Sequence, residues 1–297
     1  MNVWVRGARP RTLGAGLVPV VVGAAAAGDV VWWRFAFALL VAAGLQIGVN
    51  LLNDYFDGVR GVDTPDRLGP PRLTASGAAS PRAVLAAALV SLGLAAACGL
   101  ALALVTSPAP ILAVGALALL AAVGYSGGPR PYAGLGLGEL MVFLFFGLMA
   151  TCGTAYVMVE TVPAAAWWGG SALGLLAVAI LVANNLRDIP TDEVSGKRTL
   201  AVRLGEARTR LLYRGCVVSA FAVIAIGVLV FIMGESVGIT QWSLFALLAW
   251  VPAIRPMGLV GRTSGRGLIP VLVGTASTHA AFGLLLALGL ILYRTTA

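Results

Sequence analysis

The sequence predicts an all-α protein that crosses a membrane many times, and three observations carry that expectation. Of 297 residues, 59% are hydrophobic and only 11% are charged, against about 45–50% apolar and about 25% charged in a soluble domain. The apolar residues come in long runs, where about 20 make one helical crossing, and not in the alternation of a β-barrel strand. The basic residues collect between alternate pairs of runs. Together these exclude a soluble enzyme, a disordered chain and a disulfide scaffold. The cysteines, Cys98, Cys152 and Cys216, lie inside apolar runs without CxxC spacing and read as small core residues.

Nine runs qualify as candidate spans. Arg6, Arg9 and Arg11 precede the first, residues 13–27; no clear cleavage site follows it, so no removable signal is expected. The others are 35–55, 83–105, 111–125, 137–158, 167–186, 216–233, 239–254 and 268–293, and the first, fourth and eighth are short for a crossing. With the N-terminus in the cytosol, 18 of the 20 basic residues fall in cytosolic segments and only Arg34 and Arg294 fall outside. That is the positive-inside pattern, and with nine spans it puts the C-terminus outside. Trp32, Trp33, Trp167, Trp168 and Trp242 fall at outer ends as interfacial anchors do. Gly93 and Gly99 suit close helix packing. His279, the single histidine, reads as a hydrogen-bonded bundle residue.

The acids share the asymmetry, which the positive-inside rule does not require. Nine of twelve lie on the cytosolic side, most of them in the connections 54–82 and 187–214. The second span ends in Asn50-Leu51-Leu52-Asn53-Asp54-Tyr55-Phe56-Asp57, the sixth in Asn184-Asn185-Leu186-Arg187-Asp188-Ile189-Pro190-Thr191-Asp192. Residues three or four apart share a helix face, which groups Asn50 with Asp54 and Asp57, and Asn184 with Asp188. Pro190 is expected to end or kink its helix, leaving Asp192 just past it. Aligned as Asn-x-x-x-Asp, Asn50 lies over Asn184 and Asp54 over Asp188, a weak internal repeat of a four-helix unit within one domain, 1–297.

Carboxylates at the mouth of an apolar bundle cost desolvation energy and repel one another. A hard divalent cation such as Mg²⁺ relieves both, completing its shell with phosphate oxygens. Asn50, Asn53, Asn184 and Asn185 add neutral oxygens or orient the acids, and Arg60, Arg67, Arg72, Lys197 and Arg198 suit the remaining phosphate charge. A metal–diphosphate site opening into a greasy bundle matches a lipid diphosphate. Acids and an internal repeat also occur in transporters, but there they sit near the midplane, with polar access from both sides.

The chain resembles the UbiA-type membrane prenyltransferases. The resemblance runs through Ala8-Arg9-Pro10-Arg11-Thr12-Leu13, Asn50-x-x-Asn53-Asp54-Tyr55-x-Asp57, Gly61-x-Asp63, Arg67-x-Gly69-Pro70-x-Arg72, Tyr125-x-Gly127-Gly128-Pro129 and Gly138-Glu139-Leu140. It continues from Asn184 to Gly205, and the last three spans are similar only in hydropathy. The Gly-Pro and Lys-x-Thr-Leu blocks are most similar to the branch that prenylates 1,4-dihydroxy-2-naphthoate. The resemblance implies nine helices around a central cavity with a cytosolic cap. It also implies Mg²⁺-dependent transfer of a prenyl chain from polyprenyl diphosphate to an aromatic ring, in this branch with loss of CO₂ to give demethylmenaquinone. Other acceptors within the same fold are 4-hydroxybenzoate, a chlorin or a sugar phosphate. The expected assignment gives one Mg²⁺ to Asp54, Asp57 and Asp63 (with Asp66 the alternative to Asp63) and a second to Asp188 and Asp192. Tyr125 and Tyr132 are expected beside the allylic cation. Glu139 is expected to contact Arg130 or a substrate-holding tyrosine. Arg9 and Arg11 serve topology or substrate.

Overall fold

The computed structural model describes residues 2–61 and 72–296, without the side chains of Arg11 and Thr296. Every described regular element is helical. A short α1 (Val3–Ala8) turns through Arg9 into α2 (Pro10–Ala27); α3 (Trp32–Val59), α4 (Pro81–Leu104) and α5 (Pro108–Ser126) follow. A single 3₁₀ turn, Tyr132–Leu135, leads to α6 (Gly138–Val142), which runs through a π-helical stretch, Phe143–Met149, into α7 (Ala150–Val159). Then come α8 (Ala164–Val194), α9 (Leu200–Ile232), a 3₁₀ segment Gln241–Ala249, α10 (Trp250–Leu259), a 3₁₀ turn Gly265–Leu268, and α11 (Ile269–Thr296).

Eight helical segments are long and apolar enough to cross a membrane. The chain is therefore a multi-pass membrane protein. The nine expected runs each find a helix, the first of them in α2 (Pro10–Ala27). The two short runs at 111–125 and 239–254 are extended by their flanks, to Pro108–Ser126 and Gln241–Leu259.

The core centres on α8, which packs on α2, α7, α9 and α11. Its small residues set the spacing: Ala172, Ala179 and Ala183 are fully enclosed with Leu173 and Leu176. At Gly147 and Gly174 the π-helical stretch and α8 approach backbone to backbone, and a methyl group on either glycine would collide with the other chain segment. Such Gly–Gly crossings supply the van der Waals contact that holds helices together where lipid removes the hydrophobic drive.

Two departures from expectation bear on the site. Pro190 does not end α8; the helix runs on to Val194. Proline removes one backbone donor, but side chains brace the final turns, the Thr191 hydroxyl donating to the Asp188 carbonyl at 2.9 Å and the Ser195 hydroxyl to the Asp192 carbonyl at 3.1 Å. Asn184, Asp188 and Asp192 thus fall at i, i+4 and i+8 on one face. In α9 the helix breaks at Gly205, whose φ of 73° suits glycine, so the first turn after Thr199 is set off from the long helix.

At the bundle end opposite the acids, the two basic residues outside the positive-inside pattern cap helix ends. Arg34 donates to the carbonyls of Val105 (3.1 Å) and Val157 (2.9 Å), and Arg294 to those of Ala26 (3.1 Å) and Ala27 (3.0 Å). These are carbonyls at the C-terminal ends of α4, α7 and α2, which lack intrahelical partners and carry the negative end of the macrodipole.

Candidate active site

Two cavities meet inside the bundle. A polar one of about 300 Å³ lies under the loops that follow α5 and α8. An apolar chamber of about 590 Å³ continues from it between α2, α3, α4, α5, the π-helical stretch and α8. Asn53, Arg72, Tyr125 and Asn184 line both and form the junction.

On α3 the residues that reach the polar cavity are Asn53, Asp57 and Arg60, at i, i+4 and i+7. The Asp57 carboxylate is buried and crowded by donors: Lys197 Nζ at 2.9 Å, Arg72 at 3.4 Å, and the Asn53 amide at 2.7 Å. These contacts assign the Asn53 amide with its nitrogen toward Asp57 and Ser126 Oγ (3.1 Å) and its oxygen toward Arg72 (3.2 Å). Lys197 sits 140 residues away in sequence, so this ion pair ties the end of α3 to the loop after α8.

Asp54 has different neighbours. Its two oxygens accept from the backbone N–H groups of Leu73 and Thr74, each at 2.8 Å, and it does not line either cavity. Each helical residue turns about 100°, so Asp54 lies roughly 60° around from Asp57 and about 100° from Asn53. Its carboxylate pins the returning loop. Asn50, between Asp54 and Asp57 around the helix, donates to the Ala8 carbonyl at 3.3 Å and lines only the apolar chamber. The cavity-facing pair on α3 is therefore Asn53-x-x-x-Asp57, and it matches Asn184-x-x-x-Asp188 in place of Asn50 and Asp54.

On α8 the face holds Asn184, Asn185, Asp188, Thr191, Asp192 and Ser195. Arg187, buried, grips both Asp188 oxygens at 2.6 and 2.7 Å and reaches Asn184 Oδ1 at 2.9 Å. A buried carboxylate needs such a partner, since an unpaired one would cost several kcal/mol. Sequence reasoning left Arg187 unassigned; its place next to Asp188 was the available signal.

The phosphate-directed cations divide. Arg72 and Lys197 line the polar cavity; Arg60 does too, with donors on the Ser126 and Gly128 carbonyls at 2.8 and 2.6 Å. Arg198 is exposed and lines neither cavity. The extended stretch 197–199 alternates sides, so Lys197 and Thr199 face in and Arg198 faces out. Arg130, not assigned to phosphate, also lines the cavity. Asp63, Asp66 and Arg67 lie outside the described residues.

Tyr125 stands at the junction with its ring edge-on to Tyr132, centroids 5.5 Å apart. Tyr132 faces the apolar chamber and donates its hydroxyl to the Ala121 carbonyl at 2.8 Å. Burial, and then the neighbouring Tyr125, push the Tyr132 phenol well above its ordinary value, so it stays protonated. Glu139 contacts neither Arg130 nor a tyrosine by hydrogen bond; it accepts from Asn185 at 3.0 Å. Arg9 lines the apolar chamber from the turn between α1 and α2.

Among the described residues no three His, Cys, Asp or Glu side chains converge on one point. The donors that line the cavity are hard oxygens: the carboxylates of Asp57, Asp188 and Asp192, the amides of Asn53, Asn184 and Asn185, and several hydroxyls. That set fits Mg²⁺, which takes one or two carboxylates and completes its octahedron with water and phosphate oxygens. It does not fit a closed all-protein site.

The model of the UbiA prenyltransferase family matches residues 16–268. The chain belongs to that family. A relative named 1,4-dihydroxy-2-naphthoate octaprenyltransferase, from Mycobacterium tuberculosis, is 48% identical over 96% of this chain and 95% of its own length. One of the same name from Escherichia coli is 36% identical over 83% of this chain and 78% of its own length. Among solved structures, a UbiA homolog from Aeropyrum pernix superposes with a TM-score of 0.67 at 17% identity, covering 95% of this chain and 98% of the other. A UbiA homolog from Archaeoglobus fulgidus, solved bound to DMAPP and Mg²⁺, superposes at 0.62 with 17% identity, covering 96% and 99%. The superpositions show that this chain has the UbiA fold.

Proposed function

We propose that this member of the UbiA family transfers a polyprenyl chain from polyprenyl diphosphate to 1,4-dihydroxy-2-naphthoate, with loss of diphosphate and CO₂, giving demethylmenaquinone. The observation that carries the reading is the junction. A cavity lined by Asp57, Asp188 and Asp192 adjoins an apolar chamber of about 590 Å³, whose chemistry suits an isoprenoid tail. The named relatives supply the acceptor class.

Asp57, Asp188 and Asp192 would hold Mg²⁺, with Asn53 and Asn184 beside them. The bound metal would offset the charge that builds on the departing diphosphate. Lys197, Arg72 and Arg60 bind the remaining phosphate oxygens. Lys197 and Arg72 already neutralise Asp57, so binding substrate exchanges one set of partners for another and leaves no carboxylate stranded. The apolar walls exclude water from the allylic cation, and the Tyr125 ring at the junction faces it. Electron-rich naphthoate attacks, and decarboxylation restores the ring's aromaticity without a protein base taking a ring proton. The N-terminus in the cytosol, as the charge pattern requires, opens the polar cavity to the cytosolic side.

The test is direct. Purified protein in lipid nanodiscs is given octaprenyl diphosphate, the naphthoate and Mg²⁺, and products are read by mass spectrometry. Prenylated, decarboxylated naphthoquinol is expected. Absence of that product, with 4-hydroxybenzoate or a glycerol phosphate prenylated instead, overturns the acceptor assignment.

A further inference from the structure

Glu139 is the second residue of α6 and is 7% exposed. Its Oε1 accepts from Asn185 Nδ2 at 3.0 Å; its Oε2 has no hydrogen bond, and the side chain makes no ion pair, among the described residues. A buried carboxylate held this lightly is expensive, and the helix start beneath it offsets only part of the cost. A neutral residue would fold more readily there, so the acid has work beyond packing.

What the acid fixes is the amide of Asn185. A carboxylate only accepts, so it selects the Asn185 rotamer with Nδ2 turned toward α6. Asn185 Oδ1 then lies on the opposite side of the amide, takes no hydrogen bond from the described residues, and belongs to a residue lining the polar cavity. The same cavity is lined by Tyr125, Pro131, Ala133, Gly134 and Gly138, with Arg130 beside them. Apart from Arg130, this wall from the segment after α5 is uncharged and poor in side chains. Asp57 and Lys197, which suit diphosphate, reach the cavity from other elements. A diphosphate gains nothing from a bare carbonyl oxygen beside small apolar residues. A planar ring with a hydroxyl does.

We propose that this wall is the acceptor subsite, and that Asn185 Oδ1, oriented by Glu139, accepts a hydrogen bond from a ring hydroxyl of the aromatic acceptor. Asn185 touches the substrate; Glu139 is a positioning residue that acts through it. The inference rests on the proposed function above and deepens it. An amide that cannot flip rewards a hydroxyl and rejects a ring carrying an acceptor-only group at the same position.

The experiment measures KM for 1,4-dihydroxy-2-naphthoate and for octaprenyl diphosphate separately, in the wild type, Glu139→Ala, Glu139→Gln, Asn185→Ala and the double alanine variant. Inhibition constants of the two monomethyl ethers of the naphthoate are measured alongside. Glu139→Ala and Asn185→Ala are each expected to raise the acceptor KM about tenfold, the worth of one hydrogen bond to a buried polar group, and to leave the diphosphate KM within twofold. The double variant should be no worse than either single one. Glu139→Gln keeps an accepting oxygen and should stay within about threefold of wild type. One ether should inhibit the wild type about tenfold more weakly than the other, and that preference should vanish in both alanine variants. Parallel rises in both KM values, additive losses in the double variant, or an ether preference unchanged by Asn185→Ala would overturn the proposal. A wild type that yields no prenylated naphthoate would instead overturn the proposed function, so the two failures are distinct. Should Glu139→Ala fail to fold, the Asn185→Ala and Glu139→Gln arms still decide.

Discussion

The cavity-facing ends of α3 and α8 carry the same Asn-x-x-x-Asp pattern, yet they neutralise their acids in opposite ways. Asp188 is gripped by Arg187, its neighbour on the same helix turn. Asp57 takes its cations from elsewhere: Arg72 from the loop before α4 and Lys197 from the loop after α8. The α8 end is a self-contained unit, and the α3 end is completed only when the chain has folded over it. Local pairing holds an acid in place independently of the loops. Long-range pairing couples it to the loops that line the cavity.

Asp54 extends the comparison. It is as deeply buried as Asp57 and three residues from it, but it faces the backbone of Leu73 and Thr74. One helix end thus holds two acids in separate settings, one anchoring a loop and one lining the polar cavity.

The sharpest way to break this comparison is to neutralise the cavity acids. Asp57→Asn and Asp188→Asn should each lower octaprenyl transfer by about three orders of magnitude, the several kcal/mol that charge neutralisation by a metal supplies. Next comes removal of the cations. Arg187→Met leaves Asp188 buried and unpaired and should cost about 3–5 kcal/mol of stability, read as a lower melting temperature. Lys197→Met removes a partly exposed cation; melting should hold while the KM for polyprenyl diphosphate rises about tenfold. The same kind of substitution then reads out as stability at one end and as substrate affinity at the other. Asp54→Asn leaves one of two backbone donors unpaired and should cost about 1–3 kcal/mol, with the metal requirement of the residual activity unchanged. Smallest are Arg34→Met and Arg294→Met at the far end of the bundle, about 1 kcal/mol each, without effect on transfer.

The helical class, the spans and the grouping of polar residues at one end were legible because hydropathy and charge are one-dimensional signals. The face assignment within each motif was not. Asn50, Asn53, Asp54 and Asp57 lie within about two turns, and every one of them is polar. Nothing local says which flank looks into the cavity and which meets the loop at 72–74. Helix rotation is set by packing, here of α3 on α4 and α2. Pro190 misled for the opposite reason, since its local rule was overridden by hydroxyls bracing the turns around it. The alternation that turns Lys197 inward and Arg198 outward depends on a stretch whose extended form shows only in three dimensions. Glu139 and Asn185 lie 46 residues apart, and their pairing has no sequence signature.

The division of labour on α3 is tested most directly by metal binding without turnover. Mn²⁺, standing in for Mg²⁺, is titrated by electron paramagnetic resonance in the presence of a non-reactive prenyl thiolodiphosphate. The wild type and Asp54→Asn should both bind Mn²⁺ in an analogue-dependent way, and Asp57→Asn and Asp188→Asn should both lose it. Retention in Asp57→Asn together with loss in Asp54→Asn would contradict the account.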